Sequence, residues 1–205
     1  MITVPAANLQ KPFFSNAQPD TINYALTGYL LAHEMYHPFD EQRHGLNEHN
    51  NEIEWSPEMT EKYNRSLECF VQQFDNYTLD GKPNGPKVER YGNQTLDENM
   101  SDTMGLRAAF KAFKQLEEMN DKLNPVLPGL EIFDNDQLYF LSFANLWCEN
   151  IKPDYLVTNA KLDMHSTGRL RAIGSLSNSK DFAKAFNCPL GSPMNPEIKC
   201  NLWKH

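Results

Sequence analysis

The run His33-Glu34-Met35-Tyr36-His37 places two imidazoles and a carboxylate within about one helical turn of each other. Residues four apart on a helix lie one above the other, so His33 and His37 can grip a single metal ion while Glu34 sits beside whatever that ion holds. This is the His-Glu-x-x-His spacing in which neutral histidines bind zinc and the glutamate acts as general base on a water. One Zn2+ is therefore the expected cofactor, and its affinity should fall as the histidines protonate below about pH 6. The competing reading, two hydrogen-bonded core histidines, leaves a buried Glu34 without a partner at a cost of several kcal/mol. Asp40, three residues beyond His37, is a candidate to orient a ligand imidazole, or else a solvated turn aspartate.

A catalytic zinc takes three protein ligands and keeps one position open, so a third ligand must come from elsewhere in the chain. The segment from Thr95 to Asp102 offers Glu98 and Asp102 four apart on one helical face. In one reading Glu98 binds the ion and Asp102 fixes the tautomer of a ligand histidine. In the other, Thr95-x-x-Glu98 is a capping box and Glu98 serves only a backbone N–H. Spacing does not separate the two.

These groups need helices beneath them. Pro5, Pro12 and Pro19 make residues 1–19 irregular, apart from a short extended piece at Ile2 to Val4. Asp20 is the expected N-cap of a helix whose apolar stripe, Ile22, Ala25, Leu26, Tyr29 and Leu30, continues into His33, Tyr36 and His37. Leu31 and Met35 on its other faces predict a helix enclosed on all sides, and Pro38 should end it. Pro57 opens a second helix over 58–75, with Met59, Tyr63, Leu67, Phe70, Val71 and Phe74 as its core stripe. Residues 79–94, rich in glycine and proline, read as a long loop. The helix bearing Glu98 runs on through Leu106, Phe110 and Phe113, while His44 and His49, in a polar turn-rich stretch, are expected at the surface.

Composition narrows the possible partners. At 205 residues, 40% hydrophobic and 22% charged, the chain suits one globular domain or part of one. A formal net charge of -8 repels a phosphate backbone and so argues against nucleic acid. No stretch resembles a signal peptide, and the most apolar one, Tyr24 to Ala32, is too short to span a membrane. Cys69, Cys148, Cys188 and Cys200 lack Cys-x-x-Cys spacing, which leaves disulfides or buried thiols. Asn64, Asn76, Asn93 and Asn99 each begin a glycosylation triplet, and with the cysteines they lean towards an extracellular setting.

Taken in order, His33-Glu-Met-Tyr-His37-Pro-Phe-Asp40, Glu98-Asn-Met-Ser-Asp102, Leu127-Pro-Gly-Leu130, Gln137-Leu-Tyr-Phe-Leu-Ser-Phe-Ala144 with Trp147-Cys148, and His165-Ser-Thr-Gly-Arg-Leu-Arg171 are similar to the neprilysin and endothelin-converting-enzyme family of zinc endopeptidases. The likeness extends through Leu176-Ser-Asn178, Phe186-Asn-Cys188 and the ending Pro193 to Trp203, and so covers nearly the whole chain. It implies a mainly α fold of the thermolysin-like, gluzincin type, with at most short strands near the amino terminus. It also implies that His33, His37 and Glu98 bind zinc, that Glu34 is the base, and that Asp40 and Asp102 support the ligands. His165 would then stabilise the oxyanion and Arg171 hold a substrate carbonyl. By the same resemblance Cys69 pairs with Cys200, while Cys148 and Cys188 are left free or pair with each other.

The activity so implied is hydrolysis of internal bonds in small peptides, on the amino side of hydrophobic residues. The setting implied is an ectodomain at the cell surface, with residues 1–205 as the carboxy-terminal part of a catalytic domain whose amino-terminal lobe and membrane anchor lie outside them. The alternative is a non-catalytic member serving as a zinc-binding or protein-binding module. The chain also departs from the family pattern: Pro38 and Asp97 each replace a glycine, and Thr103-Met104 replaces an asparagine-glycine pair.

Overall fold

The computed structural model describes residues 2–40, 45–47, 49, 51–119 and 126–203. The chain folds as helices α1 (Asp20–Asn23), α2 (Tyr29–Tyr36), α3 (Pro57–Asp75), α4 (Tyr91–Gln94), α5 (Leu96–Met119), α6 (Asn135–Leu146), α7 (Pro153–Leu162), α8 (Gly168–Asn178) and α9 (Lys180–Ala185). Among the described residues there is no strand, Ile2 to Val4 included, and the β pairing amounts to two isolated bridges. The mainly helical expectation holds. No helix among the described residues is long and apolar enough to cross a membrane.

The stripe read from Asp20 to His37 is not one uniform α-helix. Pro19 rather than Asp20 is the residue before its first turn, and a π-helical turn, Tyr24–Gly28, joins α1 to α2. Such turns are uncommon and concentrate at functional sites. Buried polar groups here are held by the irregular segment laid over them: Asn23 Oδ1 accepts from the N–H of Ser15, and Thr27 donates to the carbonyls of Asn8 or Phe13. Pro38 acts as expected, because α2 ends at Tyr36 and a 3-10 turn, His37–Phe39, follows. Leu31 and Met35, read as enclosed, are exposed, the latter at 60%. One flank of α2 therefore faces outwards.

α5 lies at the centre. On one side Leu106, Phe110 and Phe113 pack with Tyr29, Tyr139, Phe140, Phe143 and Leu176 from α2, α6 and α8. On the other, Met100 and Met104 pack with Tyr63, Leu67, Phe70 and Leu202 from α3 and the carboxy-terminal tail. Ser56 caps α3 by accepting from the N–H of Met59, and Met59 itself, expected in the core, is 51% exposed in that first turn. Cys69 of α3 is disulfide-bonded to Cys200, 131 residues away, a closure worth about 2–4 kcal/mol. Cys148 and Cys188 are free thiols. The loop over 79–94 ends in α4 and buries Leu79 and Tyr91 against α3, α7 and α8.

α2 and α5 approach closely because Gly105 has no side chain. A Cβ there would lie 2.7 Å from the backbone nitrogen of His33. Only glycine allows this crossing without a shift, and the crossing brings the two polar runs face to face.

Candidate metal centre

α2 and α5 together place three donor groups around one point. His33 Nε2 lies 3.1 Å from His37 Nε2 and 3.2 Å from Glu98 Oε2, and His37 Nε2 lies 3.7 Å from Glu98 Oε1. Zinc bonds of roughly 2.0–2.2 Å place tetrahedral ligands about 3.3 Å apart, so these spacings fit that ion. Glu98 Oε2 is buried without a hydrogen bond although the imidazole of His33 and that of His165 lie near it. A cation at this point would satisfy it. Glu34 offers a carboxylate within 4.8 Å of both histidines.

The two readings of Glu98 are resolved by where Thr95 points. Its hydroxyl donates to the Tyr91 carbonyl and accepts from Asn99, so it makes no capping box with Glu98. Glu98 instead turns towards the histidines. Glu34, expected to be buried, is exposed, so no burial penalty attaches to it.

Behind the donors stands Asp102, fully buried on α5. Its Oδ1 lies 2.8 Å from His33 Nδ1 and accepts from the Tyr29 hydroxyl at 2.5 Å. Arg171 of α8 forks onto it, with Nε to Oδ2 and Nη2 to Oδ1 both at 2.6 Å, while its guanidinium stacks 4.0 Å from the Trp147 ring. Burial opposes the Asp102 charge, but Arg171 and His33 outweigh it and hold the carboxyl well below its ordinary value. Burial likewise opposes charge on His33, yet pairing with Asp102 and Glu98 raises it to about 9. Glu98 is lowered, burial notwithstanding, by His33 and then by the charges of His165 and His37. Thus Asp102 turns Nδ1 of His33 towards itself, and Nε2 faces His37 and Glu98.

His165 reaches the site from the segment between α7 and α8. Its Nε2 lies 3.3 Å from Glu98 Oε2, and Asp163 holds it through both the backbone N–H and Nδ1, each at 2.9 Å. That segment is fastened to its surroundings. Gln94 donates to the Ala160 and Asp163 carbonyls, Ser166 donates to Asn99 at 2.6 Å, and Thr167 donates its N–H to the Tyr91 hydroxyl. Arg171 is engaged with Asp102 through Nε and one N–H of Nη2, which leaves both N–H groups of Nη1 and the second of Nη2 as further donors.

Asp40 is buried and its N–H closes the 3-10 turn onto the His37 carbonyl. The Ser101 hydroxyl lies 3.5 Å from His37 Nδ1. His49 is exposed as expected, and His44 lies outside the described residues. Of the glycosylation triplets, Asn64, Asn76 and Asn93 are exposed, whereas Asn99 is fully buried and bonded to Thr95 and Ser166. Sequence reasoning missed Tyr29, Trp147 and Asp163. Tyr29 had been read only as stripe, yet its position four residues before His33 was the available signal.

Residues 1–202 match Peptidase family M13. Endothelin-converting enzyme 1 of Rattus norvegicus is 39% identical over 203 residues, 98% of this chain and 26% of its own length. Neprilysin of Oryctolagus cuniculus is 37% identical over the same share of this chain and 26% of its own. The zinc metalloprotease ZMP1 of Mycobacterium tuberculosis, solved with an inhibitor, superposes with a TM-score of 0.78 at 27% identity, covering 90% of this chain and 28% of that one. The chain thus spans about a quarter of the length of the curated relatives it matches. With the family's motifs converging on one point between α2 and α5, the chain belongs to peptidase family M13, whose members are zinc metallopeptidases.

Proposed function

We propose that this chain is the carboxy-terminal, zinc-bearing part of a metalloendopeptidase catalytic domain. Its substrates are small peptides, cut at internal bonds on the amino side of hydrophobic residues. The observation that carries the reading is the convergence of His33, His37 and Glu98, with the exposed carboxylate of Glu34 beside them. Those three residues hold the ion. Bound zinc supplies Lewis acidity that polarises a carbonyl and lowers the pKa of a water. Glu34 takes the proton from the attacking water, being near the ligands and open to solvent. His165, about half exposed and oriented by Asp163, meets the charge that develops on the carbonyl oxygen. A guanidinium N–H of Arg171 not engaged with Asp102 receives a backbone carbonyl of the substrate.

The preference for a hydrophobic residue after the cut rests on the family resemblance. A cell-surface or extracellular setting, with sugar on Asn64, Asn76 and Asn93, is supported by their exposure and by the Cys69–Cys200 disulfide. The remainder of the family architecture, including an amino-terminal lobe, is the proposed covering of the site.

Zinc content of the purified chain tests the reading first. About one ion per chain, lost in His37→Ala, is the expected result. Hydrolysis of an internally quenched peptide by the longer protein bearing this chain should vanish in Glu34→Gln while zinc stays bound. A folded chain without zinc overturns the proposal, and zinc without turnover dependent on Glu34 leaves a zinc-binding module.

A further inference from the structure

The two histidines of the metal centre are held in different ways. His33 lies inside α2, with the buried carboxylate of Asp102 2.8 Å from its Nδ1. His37 lies just past the end of α2, at the start of the 3-10 turn His37–Phe39, and the Ser101 hydroxyl stands 3.5 Å from its Nδ1, outside the usual hydrogen-bond range. Pro38, in the middle of that turn, has no N–H to fasten it. The direction in which His37 presents Nε2 therefore follows from how the backbone of the turn is set.

That backbone is gripped from α3 and the carboxy-terminal tail. Tyr63, near the start of α3 and 2% exposed, donates its hydroxyl to the Phe39 carbonyl at 2.7 Å. The Phe39 ring meets Trp203 edge to face, with centroids 5.5 Å apart. Trp203 belongs to the tail that the Cys69–Cys200 disulfide ties to the same helix. One cross-linked body thus holds both the carbonyl and the ring of the residue two places after His37. Packing does not require the hydroxyl: a phenylalanine at 63 fills the same space beside Leu67, Phe70 and Met100 but takes this donor from the turn. We infer that Tyr63 and Trp203 are positioning residues for His37. Acting through Phe39, they set the turn so that Nε2 of His37 meets the point shared with His33 and Glu98. The inference rests on the reading of these three residues as metal ligands.

Zinc affinity of the chain, read by competition with a chromogenic chelator, tests it. Where the turn is in place only part of the time, the apparent Kd rises by the inverse of that fraction. Tyr63→Phe should raise it about fivefold, the loss of one hydrogen bond, with the circular dichroism spectrum unchanged. Trp203→Ala should act similarly, and Trp203→Phe, which keeps a ring against Phe39, should recover most of the loss. Phe74→Leu, on the same helix but packed with Leu79, Tyr91 and Leu170, should lower the melting temperature and leave the Kd as it is. With cobalt in place of zinc, the visible bands follow ligand geometry and should change in Tyr63→Phe but not in Phe74→Leu. Zinc bound by the wild type, lost in His37→Ala and equally tight in Tyr63→Phe, overturns the inference and leaves the metal centre standing. A folded wild-type chain without zinc overturns both. A Kd raised as much by Phe74→Leu as by Tyr63→Phe reduces Tyr63 to general support of the fold and also overturns the inference.

Discussion

Buried side chains run along both halves of α5, and the two sets are differently made. From Glu98 to Thr103 its buried side chains include two carboxylates, an amide and two hydroxyls, whereas from Leu106 to Phe113 the buried ones are aliphatic and aromatic. The second half is stabilised by area removed from water, and any well-fitting apolar neighbours would serve it. The first is stable only because Tyr29, His33, Ser166 and Arg171 arrive with matching groups from segments 67–73 residues distant in the chain. Burial is generic in one half and specific in the other.

Removing a central group from each half gives the largest effects. Phe113→Ala should cost about 3–5 kcal/mol in urea denaturation through the cavity it leaves. Asp102→Ala should cost a similar ~3–5 kcal/mol, because it strands the Arg171 charge in the interior. Dependence on pH then distinguishes them. A depressed carboxylate stabilises the fold above its ordinary value near 3.8, and that contribution is lost as pH falls through its lower folded value. The raised His33 stabilises the metal-free fold fully below 6.5, and its contribution is lost as pH rises through about 9. Metal-free wild-type protein should therefore lose stability on both sides of that window. Phe113→Ala should lower the whole curve without changing its shape, and Asp102→Ala should flatten it. Two curves of the same shape would remove the distinction between the halves.

A milder change sharpens the comparison within the polar half. Tyr29→Phe removes one donor from Asp102 and should cost about 1.5–3 kcal/mol, with zinc affinity down roughly tenfold or more, measured by competition with a chromogenic chelator. Unchanged affinity would make Tyr29 a packing residue only. The smallest effect is expected where both halves depend on backbone approach. Gly105→Ala drives a methyl against His33 and should cost about 1–3 kcal/mol by displacing α2. A neutral result would show that the helices can separate without harm.

The raised His33 also moves the pH window for zinc uptake. Unperturbed imidazoles placed the loss of affinity below about pH 6, but the carboxylates hold a proton on metal-free His33 up to about 9. Zinc binding near pH 7.5 should then expel about one proton per ion, readable with an indicator dye in weak buffer.

What was legible in the sequence follows from range. His33, Glu34 and His37 are set by local helical spacing, and Glu98 with Asp102 by the same rule, so their alignment could be read directly. Whether Glu98 capped its helix depended on Thr95, whose hydroxyl is turned away by Tyr91 and Asn99. His165 and Arg171 carried no local signal and entered only through the resemblance. Tyr29, Trp147 and Asp163 matter through partners that tertiary packing brings together. Leu31 and Met35 misled because an apolar residue announces burial without saying whether a neighbour is within this chain.

The fastening of the His165 segment has a mechanical consequence. Ser166 is bound to Asn99, the residue after Glu98, so His165 travels with the ligand helix rather than with α7 or α8 alone. A shift of α5 would therefore take Glu98 and His165 with it, and the 3.3 Å between them would be kept even where the distance from either to His33 and His37 of the α2 segment changed.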